Sequence, residues 1–430
     1  MKNFFRFDER DTSYKKETLA GITTFLSMAY ILVVNPIILS QAGMDKGALF
    51  TATALSAIVG SLLIGLLANF PIGIAPSMGL NSFFTFSVCI GMGVDWEIAL
   101  TGVFVAGIIF MILSLLKIRE KIINVIPSDL KHAIAAGIGF FIAFVGLKNA
   151  GIIVANTDTI VAIGDLASPL TLLAIFGFIV TLMLLVRGIN GAIFYGMVIS
   201  TVIGMILKLV EIPSTIVGKV PSLEPTFGVV FSHLGDIFTP EILAVIFTFL
   251  FVAFFDTAGA LIAVASQAGL MKDNKIPNAG RALLADSASG VAGAIFGTST
   301  TASFVESTAG IAVGGRTGFT SVIIAGCFAI ALFFSPILSV ITPEVTAPAL
   351  IIVGALMAME ISKINWSRLE IVIPSFVTIL MMPLTSSVAT GIALGFILYP
   401  CAMIAQKRYK EVHPIMYILS FFFILYFIFI

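Results

Sequence analysis

The chain has 430 residues, of which 59% are hydrophobic and only 11% are charged, and its formal net charge is zero. A soluble domain carries about 25% charged residues, so the composition excludes an ordinary soluble protein and indicates an integral membrane protein. A neutral chain also gives no reason to expect a nucleic-acid partner. The polar start, MKNFFRFDERDTSYKKE, lacks the apolar core of a cleavable signal peptide, so the first apolar run is predicted to direct insertion.

Apolar runs of about 20 residues, the length that a helix needs to cross the hydrocarbon layer, follow one another along the chain. Fourteen spans are predicted, at residues 19–39, 49–69, 71–91, 97–116, 130–149, 168–187, 191–210, 241–270, 279–297, 298–315, 319–339, 346–361, 369–384 and 385–405. The run 412–430 is predicted to be an extra C-terminal helix. The predicted fold class is therefore an all-α polytopic membrane protein.

The positions of Lys and Arg support this count, because short cytoplasmic loops carry an excess of these residues. With the N-terminus in the cytoplasm, all but four of the 23 Lys and Arg residues fall inside. The four exceptions are Lys46, Lys148, Lys208 and Lys219. We expect a multi-pass protein of a bacterial-type plasma membrane, with a long extracellular loop at 211–240.

Cysteine and histidine give no sign of a disulfide framework or a metal site. Cys89, Cys327 and Cys401 lie far apart in apolar segments, and the three histidines lie near segment ends. No metal and no other cofactor is therefore expected.

The two halves of the chain resemble each other weakly. Residues 48–65, ALFTATALSAIVGSLLIG, resemble residues 282–297, ALLADSASGVAGAIFG, and TFL at 24–26 matches TFL at 248–250. Chance similarity between apolar helices is the alternative. Seven spans per half would place the second copy in the membrane with opposite topology, and such a 7+7 inverted repeat is the plan of many secondary transporters.

Segments 3 and 10, which correspond in this repeat, both begin poorly as helices. Pro71 and Pro76 remove backbone donors from segment 3, and the run 298–303 of segment 10, TSTTAS, is rich in residues that favour extended or capping positions. Each segment is predicted to be a short extended piece followed by a half-helix. Unwound backbone at membrane depth is tolerated where it is buried in protein or lines a cavity, so a substrate pocket is predicted here.

Two acidic residues lie inside apolar stretches. Asp256 occurs in FTFLFVAFFDTAGALIAVASQAG, and Glu306 occurs in GTSTTASFVESTAGIAVGG. A carboxylate at membrane depth costs about 2.5–3.5 kcal/mol on insertion scales, so both are predicted to bind substrate or a proton. The alternatives are a structural carboxylate for Asp256 and a helix cap for Glu306.

Further candidates for the substrate site come from polar and aromatic residues near the two broken segments. The amide of Asn81 can donate and accept, although it could also be a plain cap. Phe84, Phe255 and Phe304 are candidate stacking rings, although each could belong to the core, and Ser303 completes the set. For Asp286 we favour a structural role, and for Arg316 an anchor at a cytoplasmic helix end.

At these residues the chain resembles the nucleobase–cation symporter 2 family, and within it the AzgA-like branch of adenine, guanine and hypoxanthine permeases. The matching strings are GIAPSMGLNSFF (73–84), FFDTAGALIAVASQAGL (254–270), RALLADS (281–287), GTSTTASFVESTAGIAVGGRTG (297–318), VTAPALIIVGALM (345–357) and ILMMPLTSSVATGIALGF (379–396). The resemblance covers essentially the whole chain.

The resemblance implies a core (transport) domain from residues 1–116 and 241–339 and a gate domain from 117–210 and 346–405. It implies uptake of a purine base by proton symport with elevator-type alternating access, and it assigns ligand roles to Asp256, Glu306 and Asn81. Protons, the base and membrane lipid would be the partners, and a homodimer is compatible with the chain. One position differs, because many members have an acid where this chain has Ala253, one helical turn before Asp256.

Other classes are less consistent with these residues. A uracil or xanthine carrier of the same family is the closest alternative. An anion transporter of related fold would need a neutral or positive site, and a channel would need a continuous pore. An intramembrane enzyme is not expected, because the motifs HExxH and GxSxG are absent from the sequence.

Overall fold

The described part of the chain is mostly helical, with a few short strands. The computed structural model describes residues 2–116, 127–157, 159–213, 215–239, 242–243, 245–250, 253, 257, 261, 264 and 278–429. Within these ranges, seven helices are long and apolar enough to cross a membrane, and several shorter apolar helices accompany them. This confirms the predicted class of a helical polytopic protein in its coarse form.

The first half contains most of the long helices. They are α1 Lys2–Phe5, α2 Tyr14–Met28, α3 Ile31–Ser40, α4 Lys46–Ala68, α5 Met78–Ser82, α6 Trp96–Leu115, α7 Ser128–Asn149, α8 Pro169–Val186 and α9 Ala192–Ile206. Strand β1, Ile74–Pro76, precedes α5, which continues as a wider π-helix over Phe83–Gly91. Strands β2, Ile153–Asn156, and β3, Ile160–Ile163, form an antiparallel hairpin that the sequence analysis did not predict.

The described part of the second half contains one strand among its helices. Its elements are α10 Ala279–Phe296, β4 Thr301–Ser303, α11 Ser307–Ala312, α12 Gly318–Ala331, α13 Ser335–Val340, α14 Pro343–Ala358, α15 Leu369–Leu384, α16 Val388–Ala405 and α17 Pro414–Phe429. Most of the predicted eighth span, 241–270, lies outside the described residues. The loop before it carries only a short 3₁₀ turn, Val229–Phe231, among its described residues.

Local chemistry explains where several helices begin and end. The side chain of Asp45 accepts a hydrogen bond from the backbone N–H of Ala48 at 2.7 Å and caps α4. At the other end of α4, Asn69 has φ +56°, and Gly297 ends α10 with φ +100°; both are left-handed conformations that stop a helix. The predicted span 191–210 ends earlier, at Ile206, because Lys208 is also left-handed (φ +59°).

The first predicted span is interrupted. Helix α2 ends at Met28 and α3 begins at Ile31, so Ala29 and Tyr30 form a short connection between them. This break was not predicted, because the run 19–39 is apolar throughout its middle. It places Tyr30 between two half-helices inside the first segment.

The helices pack as two groups. In the first group, α4 packs against α10 and α12, α10 packs against α6, and α2 packs against α11 and α12. In the second group, α7 packs against α14 and α15, α14 packs against α8, α8 against α9, and α15 against α16. Among the described elements, far fewer contacts join the two groups than lie within them. One of them is the hydrogen bond from the Ser87 hydroxyl to the carbonyl of Ser386, at 2.8 Å.

A buried carboxylate ties the N-terminal segment to the start of α12. Glu17 accepts hydrogen bonds from the backbone N–H groups of Arg316, Thr317 and Thr320 at 3.0–3.3 Å and from the Thr320 hydroxyl at 2.6 Å. The guanidinium of Arg316 donates to the carbonyls of Ile311 and Gly315 at 2.7 Å each. Arg316, which was expected as an anchor, therefore also caps the end of α11.

Candidate functional site

The extended pieces of segments 3 and 10 pair with each other in the middle of the first helix group. Strands β1 and β4 are antiparallel, with Ile74 opposite Ser303 and Pro76 opposite Thr301. The N–H of Ser77 donates to the carbonyl of Thr300, and the N–H of Phe304 donates to that of Gly73, both at 2.9 Å. The two predicted extended pieces are thus present, and their pairing satisfies backbone groups that no helix satisfies.

Asp286 joins this strand pair to the eighth segment. It lies on α10 and is 2% exposed. One carboxylate oxygen accepts from the backbone N–H and the hydroxyl of Ser303 at 3.1 Å each, and the other accepts from the hydroxyl of Thr257 at 2.7 Å. This is the structural role that was favoured for Asp286. The carboxylate of Asp286 therefore fixes Ser303, a predicted substrate ligand, through hydrogen bonds from its backbone N–H and its hydroxyl.

Glu306 follows β4 and occupies the residue before α11. Its side chain makes no capping hydrogen bond to that helix. Its Oε1 instead accepts a hydrogen bond from the Tyr30 hydroxyl at 2.7 Å. The ring of Tyr30 is 1% exposed, whereas Glu306 is only partly buried. The carboxylate therefore keeps acceptor capacity for a further donor.

Asn81 lies on α5 and is fully buried. Its Nδ2 donates to Oδ1 of Asn35 on α3. The Nδ2 of Asn35 in turn donates to the hydroxyls of Thr53 at 2.7 Å and Thr298 at 3.0 Å. Among the described residues no donor reaches Oδ1 of Asn81, so the amide presents an acceptor without a partner.

More unpaired polar atoms lie on the two broken segments. The buried hydroxyls of Ser82 and Thr85, on the helix that carries Asn81, and of Ser299, next to Thr298, find no partner within the described ranges. Buried polar atoms normally have a hydrogen-bond partner, and exceptions call for an explanation such as a bound molecule or water. The broken segments therefore concentrate unused hydrogen-bonding capacity in one region.

The predicted aromatic residues have different surroundings. Phe84 is fully buried, and its ring centroid lies 6.4 Å from that of Phe249. Phe304 is 7% exposed and belongs to the same hydrophobic core. Asp256 and Phe255, the acid and the ring predicted on the eighth segment, lie outside the described residues.

A small cavity lies beside the strand pair. Its walls include Ala253, Asp286, Ser287, Thr300 and Thr301. Its free space of about 10 Å³ has room for about one water molecule. A planar heterocycle is far larger, so this cavity is not a substrate chamber in the conformation observed.

Sequence reasoning missed two residues of this site, Tyr30 and Asn35. Both lie in the first segment, and each contacts a predicted ligand on another segment, Glu306 or Asn81. Asn35 carried a signal, because a lone amide in an apolar run before Pro36 is unusual. A tyrosine in an apolar segment carries no such signal.

The amino-acid sequence is similar to those of known permeases. The chain is 58% identical to the guanine/hypoxanthine permease PbuG of Bacillus subtilis (strain 168), with all of both chains covered. It is 41% identical to the adenine permease AdeQ of Escherichia coli (strain K12), covering 96% of this chain and 93% of that one.

The fold itself also occurs among solved structures. The transmembrane domain of a cyanobacterium bicarbonate transporter, BicA, superimposes with a TM-score of 0.62 at 17% identity, covering 90% of this chain and 97% of that one. At this identity the likeness concerns the fold alone.

A family model described as "Permease family" (Xan_ur_permease) matches residues 15–394. The predicted resemblance to the nucleobase–cation symporter 2 family is thereby confirmed. The chain belongs to this permease family, and it is a multi-pass membrane transporter and not an enzyme.

Proposed function

We propose that this protein imports a purine nucleobase, guanine, hypoxanthine or adenine, by proton symport. The observation that carries the proposal is full-length identity of 58% to a guanine/hypoxanthine permease. The site supports it, because the paired strands lie beside a carboxylate and an amide that both have free acceptor capacity. Purines carry N–H donors at their edges and need such acceptors.

We assign the recognition of the base to Glu306 and Asn81. The free acceptor capacity of Glu306 suits one N–H group of the base, and the unpaired Oδ1 of Asn81 suits another. A site that leaves a buried acceptor unpaired with the wrong substrate discriminates strongly against it. Ser303, held by Asp286, would line the same site.

The remaining assignments follow from the family resemblance for the carboxylates and from the sequence for the aromatic residues. Asp256 would carry the coupled proton, with Glu306 as a second proton-linked carboxylate. Phe255 and Phe304 would stack on the base, and Phe84 would support them from the hydrophobic core, where its ring meets that of Phe249.

Transport would occur by elevator-type movement of one helix group against the other. The first packing group corresponds to the transport domain, 1–116 and 241–339, and the second to the gate domain, 117–210 and 346–405. Sparse contact between the groups supports this division, because rigid-body movement is easiest across an interface with few contacts.

The packing partners also support fourteen segments arranged as a 7+7 inverted repeat. In such a repeat each helix has its counterpart seven segments away. The packed pair α4–α12 then corresponds to the packed pair α10–α6, and the pair α7–α15 corresponds to α14–α8. The strands β1 and β4 likewise occupy corresponding segments and pair with each other. A transporter with this symmetry alternates between two related states.

We further propose that the protein resides in a bacterial-type plasma membrane with its N-terminus in the cytoplasm, where most of its Lys and Arg residues would then lie. Loop 211–240 would be extracellular, and 412–430 would be the extra helix that corresponds to α17. A homodimer is compatible with this arrangement.

Two alternatives remain for the substrate. A bicarbonate transporter shares the fold, but at 17% identity, against 58% for a purine permease. An acidic site also suits an anion poorly, because like charges repel. A uracil or xanthine carrier of the same family would use a similar site and differs from our proposal in the base alone.

Competition uptake separates these possibilities. Cells without their own base carriers would express the protein and take up labelled hypoxanthine against excess guanine, adenine, xanthine, uracil or bicarbonate. We expect the purines guanine or adenine to compete and an uncoupler to abolish accumulation. Competition by uracil or xanthine alone would contradict the assignment to guanine, hypoxanthine or adenine, and accumulation that survives the uncoupler would contradict proton symport.

A further inference from the structure

The carboxylate of Glu306 is not free in the site, because a phenol from another segment holds it. We propose that Tyr30 is a positioning residue for substrate recognition, one that fixes Glu306 so that its remaining acceptor capacity is directed to the base. This inference rests on the proposed function and deepens it. Nothing in the family comparison assigns a role to this residue.

The contact is short and spans a large separation in the chain. The hydroxyl of Tyr30 donates to Oε1 of Glu306 at 2.7 Å, across 276 residues of sequence. Tyr30 connects α2 and α3 and is almost completely buried, so its ring has little freedom to turn away. A hydrogen bond from a buried, fixed donor to a carboxylate is among the stronger kinds in proteins.

The elements that carry the two side chains are themselves locked together. Helix α2 packs against α11, and a Cβ atom placed on Gly310 of α11 would lie 2.5 Å from the carbonyl oxygen of Ala20 on α2. Only glycine allows this approach. The Glu17 contacts to Arg316 and Thr320 additionally tie the N-terminal end of α2 to the connection after α11 and to the first turn of α12. Tyr30 and Glu306 are therefore presented to each other by a rigid support.

The chemistry of the pair suits positioning and leaves capacity for substrate. An ionised carboxylate offers about four lone-pair positions, and the phenol uses one of them. Within the described ranges, Tyr30 provides the side-chain donor to Glu306. One side-chain donor restricts the orientation of the carboxylate without saturating it, so less conformational freedom is lost when the base binds.

A purely structural tyrosine would behave differently. If the hydrogen bond from Tyr30 only stabilised the fold, its removal would lower stability but leave the affinity of the folded protein for substrate unchanged. If it positions Glu306, its removal changes the apparent KM of uptake at equal amounts of folded protein. Measuring KM and the amount of folded protein for the same variant therefore distinguishes a structural role of Tyr30 from a positioning role.

The test is Tyr30→Phe, which keeps the ring and removes the hydroxyl. Hypoxanthine uptake would be measured with membrane abundance and thermal stability of the same variant. We expect KM to rise about tenfold or more, because hydrogen bonds to charged groups exceed neutral ones in strength. The matched control is Tyr417→Phe, which also removes one phenol hydrogen bond, at 3.1 Å to the carbonyl of Tyr409, and should leave KM unchanged.

A double-mutant cycle adds a second readout. Glu306→Asp keeps the charge but withdraws the carboxylate by one methylene, so the Tyr30 contact is lost. In that background Tyr30→Phe should change KM by less than about twofold, because interacting residues are non-additive. A full tenfold effect in both backgrounds, or an unchanged KM in the single variant, would overturn the positioning role.

Failure of the role proposed for Tyr30 can be distinguished from failure of the proposed function. If the unaltered protein takes up no purine, the proposed function fails. If it takes up purine and Tyr30→Phe does so with the same KM, only the role of Tyr30 fails.

Discussion

Glu306 lies where two independent features of the chain meet, the end of strand β4 and the start of α11. Its carboxylate is partly exposed and bound by one side-chain donor among the described residues. This combination differs from that of Glu17 and Asp286, each of which accepts at least three hydrogen bonds. Saturated carboxylates hold structure together, whereas the unsaturated one can bind a ligand.

We predict that Glu306→Gln strongly reduces uptake without unfolding the protein. Glutamine has the same shape, and its carbonyl can still accept from Tyr30, but it lacks the negative charge that strengthens bonds to the N–H groups of a base. The expected loss in uptake efficiency is about 100-fold or more, since charged hydrogen bonds contribute about 1.5–3 kcal/mol each. Initial rates at matched membrane abundance measure it.

The Asn35 network gives a prediction about stability. Asn35→Ala would leave Asn81, Thr53 and Thr298 without their shared partner in a buried site. We expect a loss of about 1–3 kcal/mol for the unpaired groups, seen as a lower melting temperature in detergent. The control is Asn190→Ala at an exposed position, where the melting temperature should stay the same.

Individual residues also show how much of the site could be predicted from the sequence. Glu306 and Asn81 were found because acid and amide groups are costly inside apolar segments. Tyr30 was missed, since a tyrosine there costs little and its partner is 276 residues away. Asp256 carries the same sequence signal as Glu306, and its place in the site stays a prediction.

Among the elements, the strands β1 and β4 were predictable because proline and hydroxyl-rich residues disfavour helix in both segments. Their pairing register could not be predicted, because it depends on how the two halves meet. The hairpin β2–β3 was missed although residues 153–163 are rich in β-branched side chains. In a chain dominated by membrane helices, that stretch looked like an ordinary loop.

Helices α7 and α14 cross at a pair of glycines, which gives a second stability prediction. A Cβ atom on Gly139 would lie 2.6 Å from the carbonyl oxygen of Gly354 and 2.8 Å from the backbone nitrogen of Ala358. Because these neighbours are backbone atoms, the helices must separate to accept a side chain. Gly139→Ala should therefore lower the melting temperature and the yield of folded protein.

The matched control for this prediction is Gly326→Ala on α12. A Cβ atom there meets nothing within 4 Å, and alanine favours helix over glycine by about 1 kcal/mol. We expect no loss of stability at this position. Equal behaviour of Gly139→Ala and Gly326→Ala would contradict the close crossing of α7 and α14.

For the whole molecule, the proposed movement is that of one packing group of helices against the other. The proposed elevator motion requires the contact between Ser87 and Ser386, which joins the groups, to break during each cycle. The contact between the hydroxyls of Ser114 on α6 and Ser287 on α10, at 3.1 Å, lies within one group and would persist.

Cross-linking tests this difference. In a background without Cys89, Cys327 and Cys401, the double variant Ser87→Cys/Ser386→Cys would be bridged by a short bifunctional thiol reagent that a reductant can cleave. We expect bridging to stop uptake and reduction to restore it. The control, Ser114→Cys/Ser287→Cys, should bridge and still transport. Undiminished uptake by the bridged Ser87/Ser386 pair would contradict movement between the groups.

The sequence predicted the helical membrane class and the family because apolar length and specific strings are local signals. It could not predict how the two helix groups pack, because that arrangement depends on contacts between distant segments. The transmembrane domain of a bicarbonate transporter has the same fold at 17% identity. Because a fold can carry different sets of side chains, the substrate is determined by the residues of the site.

The most direct test of the account is binding of labelled hypoxanthine or guanine to the purified protein and to its Glu306→Gln variant, each shown to be folded by its melting temperature. We predict saturable binding that unlabelled purine displaces, and a loss of affinity of about 100-fold or more in the variant, because the charged acceptor is removed. Equal affinity of the two proteins for the base would contradict the central claim that Glu306 recognises the substrate.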